Sequence, residues 1–200
     1  MPDILLPSPN LPMKSLRRLL PILLLLVSLS HAQVKPLTLP AADGKDYTPL
    51  ALGDKKAAVF CFVSPYCATS SSYIPEMNKI VADYGAKFSF FFVHADPELK
   101  LPDVLQHTEL MAIKAPVLLD KEQTLAKLTQ ARITPEVAVL TADGRTLYQG
   151  RINDLYLGPT KKQRKATTKD LRDALDAIQE GKPVAVAKTE AVGCKISGMK

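Results

Sequence analysis

The order of apolar runs along this chain predicts an α/β fold: a mixed central sheet flanked by helices on both faces, with an N-terminal β-hairpin. Three observations carry the prediction. The segment AAVFCFVS, residues 57–64, is a continuous apolar run ended by Pro65, and KFSFFFVHAD from Lys87 is a second. Neither alternates between polar and apolar, as expected of strands covered on both faces. Segments with helical periodicity separate such runs, so strands and helices take turns. Finally, ITPEVAVLTADGRTLYQGRI reads as a strand, an Asp143-Gly144 turn and a second strand, which is a strong hairpin signal.

Taken in order, the chain begins with a segment that is better read as an address than as fold. In KSLRRLLPILLLLVSLSHAQ, Lys14, Arg17 and Arg18 give a positive start, residues 19–29 an apolar core, and Ser30-His31-Ala32 a small-residue cleavage signature. That core is far shorter than the ~20 residues that cross a bilayer. Residues 1–32 are therefore expected to be a secretory signal peptide, cleaved after Ala32, that leaves no stable membrane span. Met13 is an alternative start, because the proline-rich preface before it is not something a signal peptide needs. No cysteine stands at the cleavage site, so a lipid anchor is not indicated.

Residues 33–183 are expected to form one globular domain and residues 184–200 a polar tail carrying Cys194. From Val34, KPLTLPAADGKDYTPLAL predicts a short hairpin about Asp43-Gly44. After Cys67, Tyr73, Met77, Ile80, Val81 and Tyr84 recur at helical spacing until Gly85, with Pro75 expected to kink the early turns. LPDVLQHTELMAI puts Leu101, Val104, Leu105 and Leu110 on one side of a second helix and leaves His107 on the solvent side. PVLLD is a short strand or extended link, and EQTLAKLTQAR a third helix. TTKDLRDALDAIQEGKP closes the domain, with Thr167 and Asp170 as a capping box, Leu171, Leu175 and Ile178 as an apolar stripe, and Gly181 with Pro183 as the stop.

Composition narrows the function classes. With 46% hydrophobic and 23% charged residues, the chain is neither disordered nor fibrous. Removing Lys14, Arg17, Arg18 and Asp3 with the signal lowers the formal charge from +6 to +4. Much of the surplus lies in Lys161, Lys162, Arg164, Lys165 and Lys169 without interleaved aromatics, which reads as a solvated basic loop and not a nucleic-acid site. The three cysteines, Cys61, Cys67 and Cys194, allow one bridge within the chain. None lies in a Cys-X-X-Cys pair or a His/Cys cluster with zinc spacing, so no metal and no cofactor are expected.

The chemistry is expected at Cys67. Residues VFCFVSPYC place an apolar strand, a proline and then a cysteine at the start of a helix. A thiol there faces the positive end of the helix macrodipole and free backbone amides, which favour the reactive thiolate. Cys61, inside the strand, is expected to be a small buried hydrophobe. His94 closes the second core strand and is either a proton donor near Cys67 or a structural side chain.

The strand ending in VFCFVSPYC, the later Ile-Thr-Pro-Glu segment and its Asp-Gly hairpin followed by a helix together resemble the thioredoxin-like superfamily over residues 34–181. More narrowly, they resemble the redoxin branch, which includes the alkyl hydroperoxide reductase/thiol-specific antioxidant proteins and exported thiol-disulfide oxidoreductases. The resemblance implies that Thr134-Pro135 is the family's cis-proline loop, facing Cys67 and offering backbone groups to an extended substrate. It also implies that Cys194, in its Gly-Cys pair, is a resolving thiol for Cys67; a bridge to another protein, or no role, are the other readings.

Two departures limit the mechanism. Ser70 stands where a dithiol redoxin has its second cysteine, so no local disulfide forms. In the peroxidatic pattern Pro-X-X-X-Thr-X-X-Cys, Ser64 stands for the threonine and Phe60 for the proline. The expected function is an exported, extracytoplasmic or periplasmic thiol oxidoreductase acting on a disulfide protein or a hydroperoxide. Cys67 attacks, Cys194 or an external thiol reductant resolves, and Ser64, Thr134 and Pro135 shape the substrate site. The alternative is a non-catalytic binding module that uses the same groove for an extended partner segment.

Overall fold

The computed structural model describes residues 36–199, and the expected signal segment lies outside them. The described chain begins with a two-stranded antiparallel hairpin, β1 (Leu39–Pro40) and β2 (Asp46–Tyr47). Its main body is a five-stranded sheet made of β3 (Ala58–Phe62), β4 (Ser89–His94), β5 (Val117–Leu119), β7 (Glu136–Leu140) and β8 (Thr146–Gly150). The strand order is β5-β4-β3-β7-β8, with β3, β4 and β5 parallel and β7 and β8 antiparallel additions. This is the mixed sheet and hairpin that the apolar runs predict.

Continuous apolarity in β3 reflects two covered faces. Val59 and Cys61 belong to one core cluster with Ile74, Met77 and Ile80 of α1 (Ala68–Tyr84) and Leu171 and Leu175 of α4 (Asp170–Gln179). Ala58, Phe60 and Phe62 belong to a second cluster with Leu125 and Ala126 of α3 (Thr124–Thr129) and Leu39 of the hairpin. A polar residue at any position of β3 would lose water on whichever side it faced. On the first face, Arg172 ties α4 to α1 through Glu76 at 2.9 Å and Asp83 at 2.7 Å.

Several local expectations are corrected. The first helix stops where expected, with Gly85 as the C-cap of α1 and Pro75 inside its early turns, but other positions differ. On α2 (Leu101–Leu110) the buried residues are Val104 and His107, while Leu101, Leu105 and Leu110 are exposed. The helix is rotated so that His107 meets His94, with ring centroids 5.4 Å apart, and apolar periodicity alone does not reveal a polar-looking residue that packs inward. The expected Thr167–Asp170 capping box is absent: Thr167 bonds to Asp154, and Thr168 pairs with Asp170. Asp154 also accepts from the Thr168 amide at 2.9 Å, so a buried carboxylate, not a reciprocal box, organises this helix entry.

ITPEVAVL is likewise not one strand. It divides at a cis Thr134-Pro135 bond into β6 (Ile133–Thr134) and β7. The basic loop carries a small hairpin, β9 (Tyr156–Gly158) with β10 (Lys161–Lys162), whose lysines are exposed. The tail is packed and not loose. It contains β11 (Cys194–Lys195), which pairs antiparallel with β6, and the following Ile196 is buried in the second cluster.

Candidate active site

The site forms where β3 runs out. Beyond Phe62 the chain passes through Val63, Ser64, Pro65 and Tyr66 before α1 begins, and Cys67 is the N-cap residue, extended at φ −112° and ψ 105°. It makes no side-chain capping bond, so the first-turn amides of α1 are not taken up by its own side chain. These amides and the helix dipole favour negative charge on a sulfur placed there.

Cys67 is 1% exposed and is joined by a disulfide to Cys194, 127 residues away, with Cα atoms 6.0 Å apart. Its Sγ lies 3.1 Å from the Thr134 carbonyl oxygen, which seats the sulfur against the cis-proline loop. Cys194 faces Thr134 in the β11–β6 register, and Lys195 faces Ile133. The Thr134 hydroxyl donates to the Cys194 carbonyl at 3.4 Å. Cys67, Cys194, Thr134 and Pro135 are thus brought together from three distant parts of the chain.

Ser64 and Ser70 are occupied differently. The Ser64 hydroxyl accepts from the Tyr66 amide at 3.3 Å, and the Ser64 amide donates to the fully buried Ser70 hydroxyl at 3.1 Å. Ser70, at the position of the missing second cysteine, therefore holds the loop that delivers Cys67. Tyr66 is 70% exposed and its hydroxyl donates to Asp103 on α2 at 3.0 Å, fastening the same loop from outside.

Two residues of the site are missed by sequence reasoning. Glu136 is buried beside the cis-proline. Its Oε2 accepts from the Arg132 and Ile133 amides at 2.8 and 3.1 Å, and its Oε1 accepts from the Gln149 side chain at 2.8 Å. The visible signal is a charged residue opening an otherwise apolar strand, PEVAVL. Gly193 is the other: a Cβ there would overlap the Thr134 carbonyl oxygen and lie 3.1 Å from Pro135 Cδ. Only a residue without a side chain lets the tail approach this closely.

The remaining titratable candidates are sealed inside. Burial pushes the free Cys61 thiol strongly upward, away from thiolate. Burial, and then the neighbouring His107, push His94 down to about 3, and His107 is also lowered by burial. Among the described residues no well-aligned hydrogen-bond partner meets the ring nitrogens of either imidazole. His94 is therefore held in its neutral form at ordinary pH. Among the described residues no group of three or more His, Cys, Asp or Glu side chains is placed to hold a metal. No described helix is long and apolar enough to cross a membrane.

The sheet, its flanking helices and the cis-proline loop opposite a helix-capping cysteine define a thioredoxin-like protein. A family model described as Redoxin matches residues 29–175, and the chain belongs to that family. Among solved structures, a hypothetical protein from Sinorhizobium meliloti is similar with TM-score 0.70 and 26% identity, covering 82% of this chain and 91% of that one. An uncharacterized conserved protein from Geobacillus kaustophilus gives 0.70 and 25%, with 82% and 89% covered. A secreted Mycobacterium tuberculosis disulfide oxidoreductase homologous to E. coli DsbE shares the fold at TM-score 0.53 and 15% identity, covering 71% and 96%. No curated protein matches the chain.

Proposed function

We propose that this protein is an exported thiol-disulfide oxidoreductase in which Cys67 is the attacking thiol and Cys194 the resolving one. The observation that carries this reading is the Cys67–Cys194 bridge, formed at a helix N-terminus against the cis-proline loop. In the reduced protein the Cys67 thiolate attacks one sulfur of a substrate disulfide. A Cys67–substrate bond forms, the substrate S–S bond breaks, and the second substrate sulfur leaves as thiolate. Cys194 thiolate then attacks the Cys67 sulfur and expels the first substrate sulfur. The substrate gains two electrons and the protein is left with its bridge, which two thiol equivalents of an external reductant reopen.

The helix terminus supports Cys67 in each role, because it stabilises thiolate both as the nucleophile and as the group expelled when the bridge is reduced. Disulfide exchange is favoured over peroxide reduction by two features of the loop: Phe60 replaces the proline of the peroxidatic pattern, and the Ser64 hydroxyl already accepts from the Tyr66 amide. Export is supported by the sequence of residues 1–32 and by a bridge suited to an oxidising compartment.

The test is the rate of insulin reduction and of hydrogen peroxide consumption with dithiothreitol as donor, for the parent protein and Cys67→Ser. Insulin reduction by the parent, lost in the variant, is the expected result. Peroxide consumption with trapped sulfenic acid at Cys67 would move the reading to a thiol peroxidase. Equal rates for the two proteins in both assays would leave only the binding-module reading.

A further inference from the structure

We infer that the β6 edge is a strand-binding groove selecting partner segments of the form Gly-Cys-X-aliphatic, and that tail and partner exchange places on it in each turnover. The inference rests on the thiol-exchange reading of Cys67 and names the substrate class of that site.

The tail shows what the groove accepts. Three successive positions meet it through backbone: Cys194 opposite Thr134, Lys195 opposite Ile133, and the Ile196 amide donating to the Arg132 carbonyl at 2.9 Å. Side-chain requirements differ sharply along these positions. Before the cysteine, any Cβ would overlap the Thr134 carbonyl, so glycine is required. After the cysteine, Lys195 is exposed and its position is not read. At the next position Ile196 is 4% exposed, in the cluster that contains Phe60, Phe62, Leu125 and Ala131, so an aliphatic side chain is read there. Backbone pairing supplies affinity and the two end positions supply selectivity, as in other cases of strand addition.

Among the described residues β6 pairs with no strand except β11, so this edge holds one occupant. A partner strand and the tail exclude each other. When Cys67 thiolate attacks a disulfide sulfur of the partner's cysteine, the S–S bond breaks and its other sulfur leaves as thiolate; the partner strand then lies where β11 lay. Cys194 thiolate reaches the Cys67 sulfur only as β11 returns to β6, so formation of the Cys67–Cys194 bond, departure of the partner cysteine as thiolate and displacement of its strand are one event.

The tail is built to win that exchange because it is held at sites beyond the groove. Upstream, Gln149 donates its amide to the Ala187 carbonyl at 2.9 Å and accepts from the Thr189 amide at 3.0 Å. There the backbone of Gly150, at φ +144°, leaves room for Thr189 that a Cβ would fill. Downstream, Gln123 donates to the Ser197 carbonyl at 2.6 Å and the Ser197 hydroxyl to Asp96 at 3.0 Å. A short Gly-Cys-X-aliphatic segment gains the groove contacts without these anchors, so it binds, reacts and is displaced.

The experiment uses the full reduced chain carrying Cys194→Ser, which can form the mixed disulfide but not resolve it. Three peptides are offered: a copy of residues 191–196, AVGCKI, which omits the outer anchors, and copies with valine for the glycine or aspartate for the isoleucine. Each carries its cysteine as a mixed disulfide with 5-thio-2-nitrobenzoate, whose release is followed by absorbance. The matched peptide is expected to react at least ~10-fold faster than either altered one, a difference of ~1.4 kcal/mol. Adding Gly193→Val to the protein, which weakens the tail's own hold on the groove, is expected to speed the matched peptide further. If Cys194→Ser does not fold, first-turnover rates of the reduced parent protein give the same ranking. Rates equal to within about twofold for all three peptides would overturn the groove and leave thiol exchange standing. No release from any peptide, nor from 5,5′-dithiobis(2-nitrobenzoate) alone, would overturn thiol exchange itself.

Discussion

Cys61 and Cys67 are six positions apart on one stretch of chain, and each is 1% exposed, yet they sit in regions with opposite chemistry. Cys61 lies in the middle of β3, between β4 and β7, facing the α1 and α4 side of the core. Its surroundings offer a thiolate nothing, and burial raises its pKa. Cys67 lies past the end of the same strand, at the first turn of a 17-residue helix and against a loop that another cysteine can reach. Low exposure therefore does not separate a thiol sealed within a sheet from one set at a helix end. The backbone around it does, because a helix terminus presents unpaired amides whereas a strand inside a sheet has spent its own. The histidines repeat the lesson on the interior side: buried and facing each other, His94 and His107 are both shifted toward the neutral form.

The largest effect expected from breaking this contrast is at the thiols. In the reduced native protein, iodoacetamide is expected to label Cys67 and Cys194 and to leave Cys61 unmodified until denaturant is added, as read by peptide mass. Labelling of Cys61 at a comparable rate would dissolve the distinction between the two regions.

Next is the carboxylate that supports the active edge. Glu136→Ala removes the acceptor for two amides and the Gln149 side chain, and is expected to cost about 3 kcal/mol in denaturant unfolding. A loss of only a few tenths would mean that water replaces the carboxylate freely.

The interior histidines give a pH signature with a defined sign. The unfolded chain binds a proton at His94 near pH 6.5, whereas the folded protein does so only at about 3. Below pH 6.5 the unfolded state holds more protons, so this stabilisation is complete above that pH and is lost as pH falls toward 3. The slope from this residue is at most ~1.4 kcal/mol per pH unit, with His107 adding in the same direction. His94→Phe is expected to flatten that part of the profile in urea titrations at pH 4–7, and an unchanged slope would remove His94 as its source.

Gly193→Ala is a smaller change, and it acts on the edge alone. The added Cβ meets the Thr134 carbonyl, so the Cys67–Cys194 bridge is expected to shift toward the dithiol by about tenfold in a glutathione redox titration. The smallest effect belongs to Cys61→Ala, which should reduce stability by roughly 1 kcal/mol and leave exchange rates unaltered.

Much of the fold was legible because burial on two faces writes itself into consecutive residues. AAVFCFVS and KFSFFFVHAD predicted β3 and β4 without any knowledge of their neighbours, and Asp143-Gly144 located the turn joining β7 to β8. Cys67 was legible for the same kind of reason, since a strand ended by proline and followed by a helix is a local pattern. The orientation of α2 was not: three leucines outvoted one histidine in the periodicity, and the decision lay in what β4 presented across the gap. Nor did composition foretell that the tail would pack, because its few aliphatic residues are scattered without a period among polar and small ones.

The sequence by itself determined that a thiol stands at a helix start, that its local partner is serine, and that a distant Gly-Cys exists to be explained. Only the tertiary structure decided that this Gly-Cys reaches Cys67, by laying β11 beside β6 with Gly193 against the Thr134 carbonyl. The physical reason is range. Strand burial and helix capping act between residues near in sequence, whereas a pairing across 127 residues depends on the whole sheet placing two backbone edges within hydrogen-bonding distance.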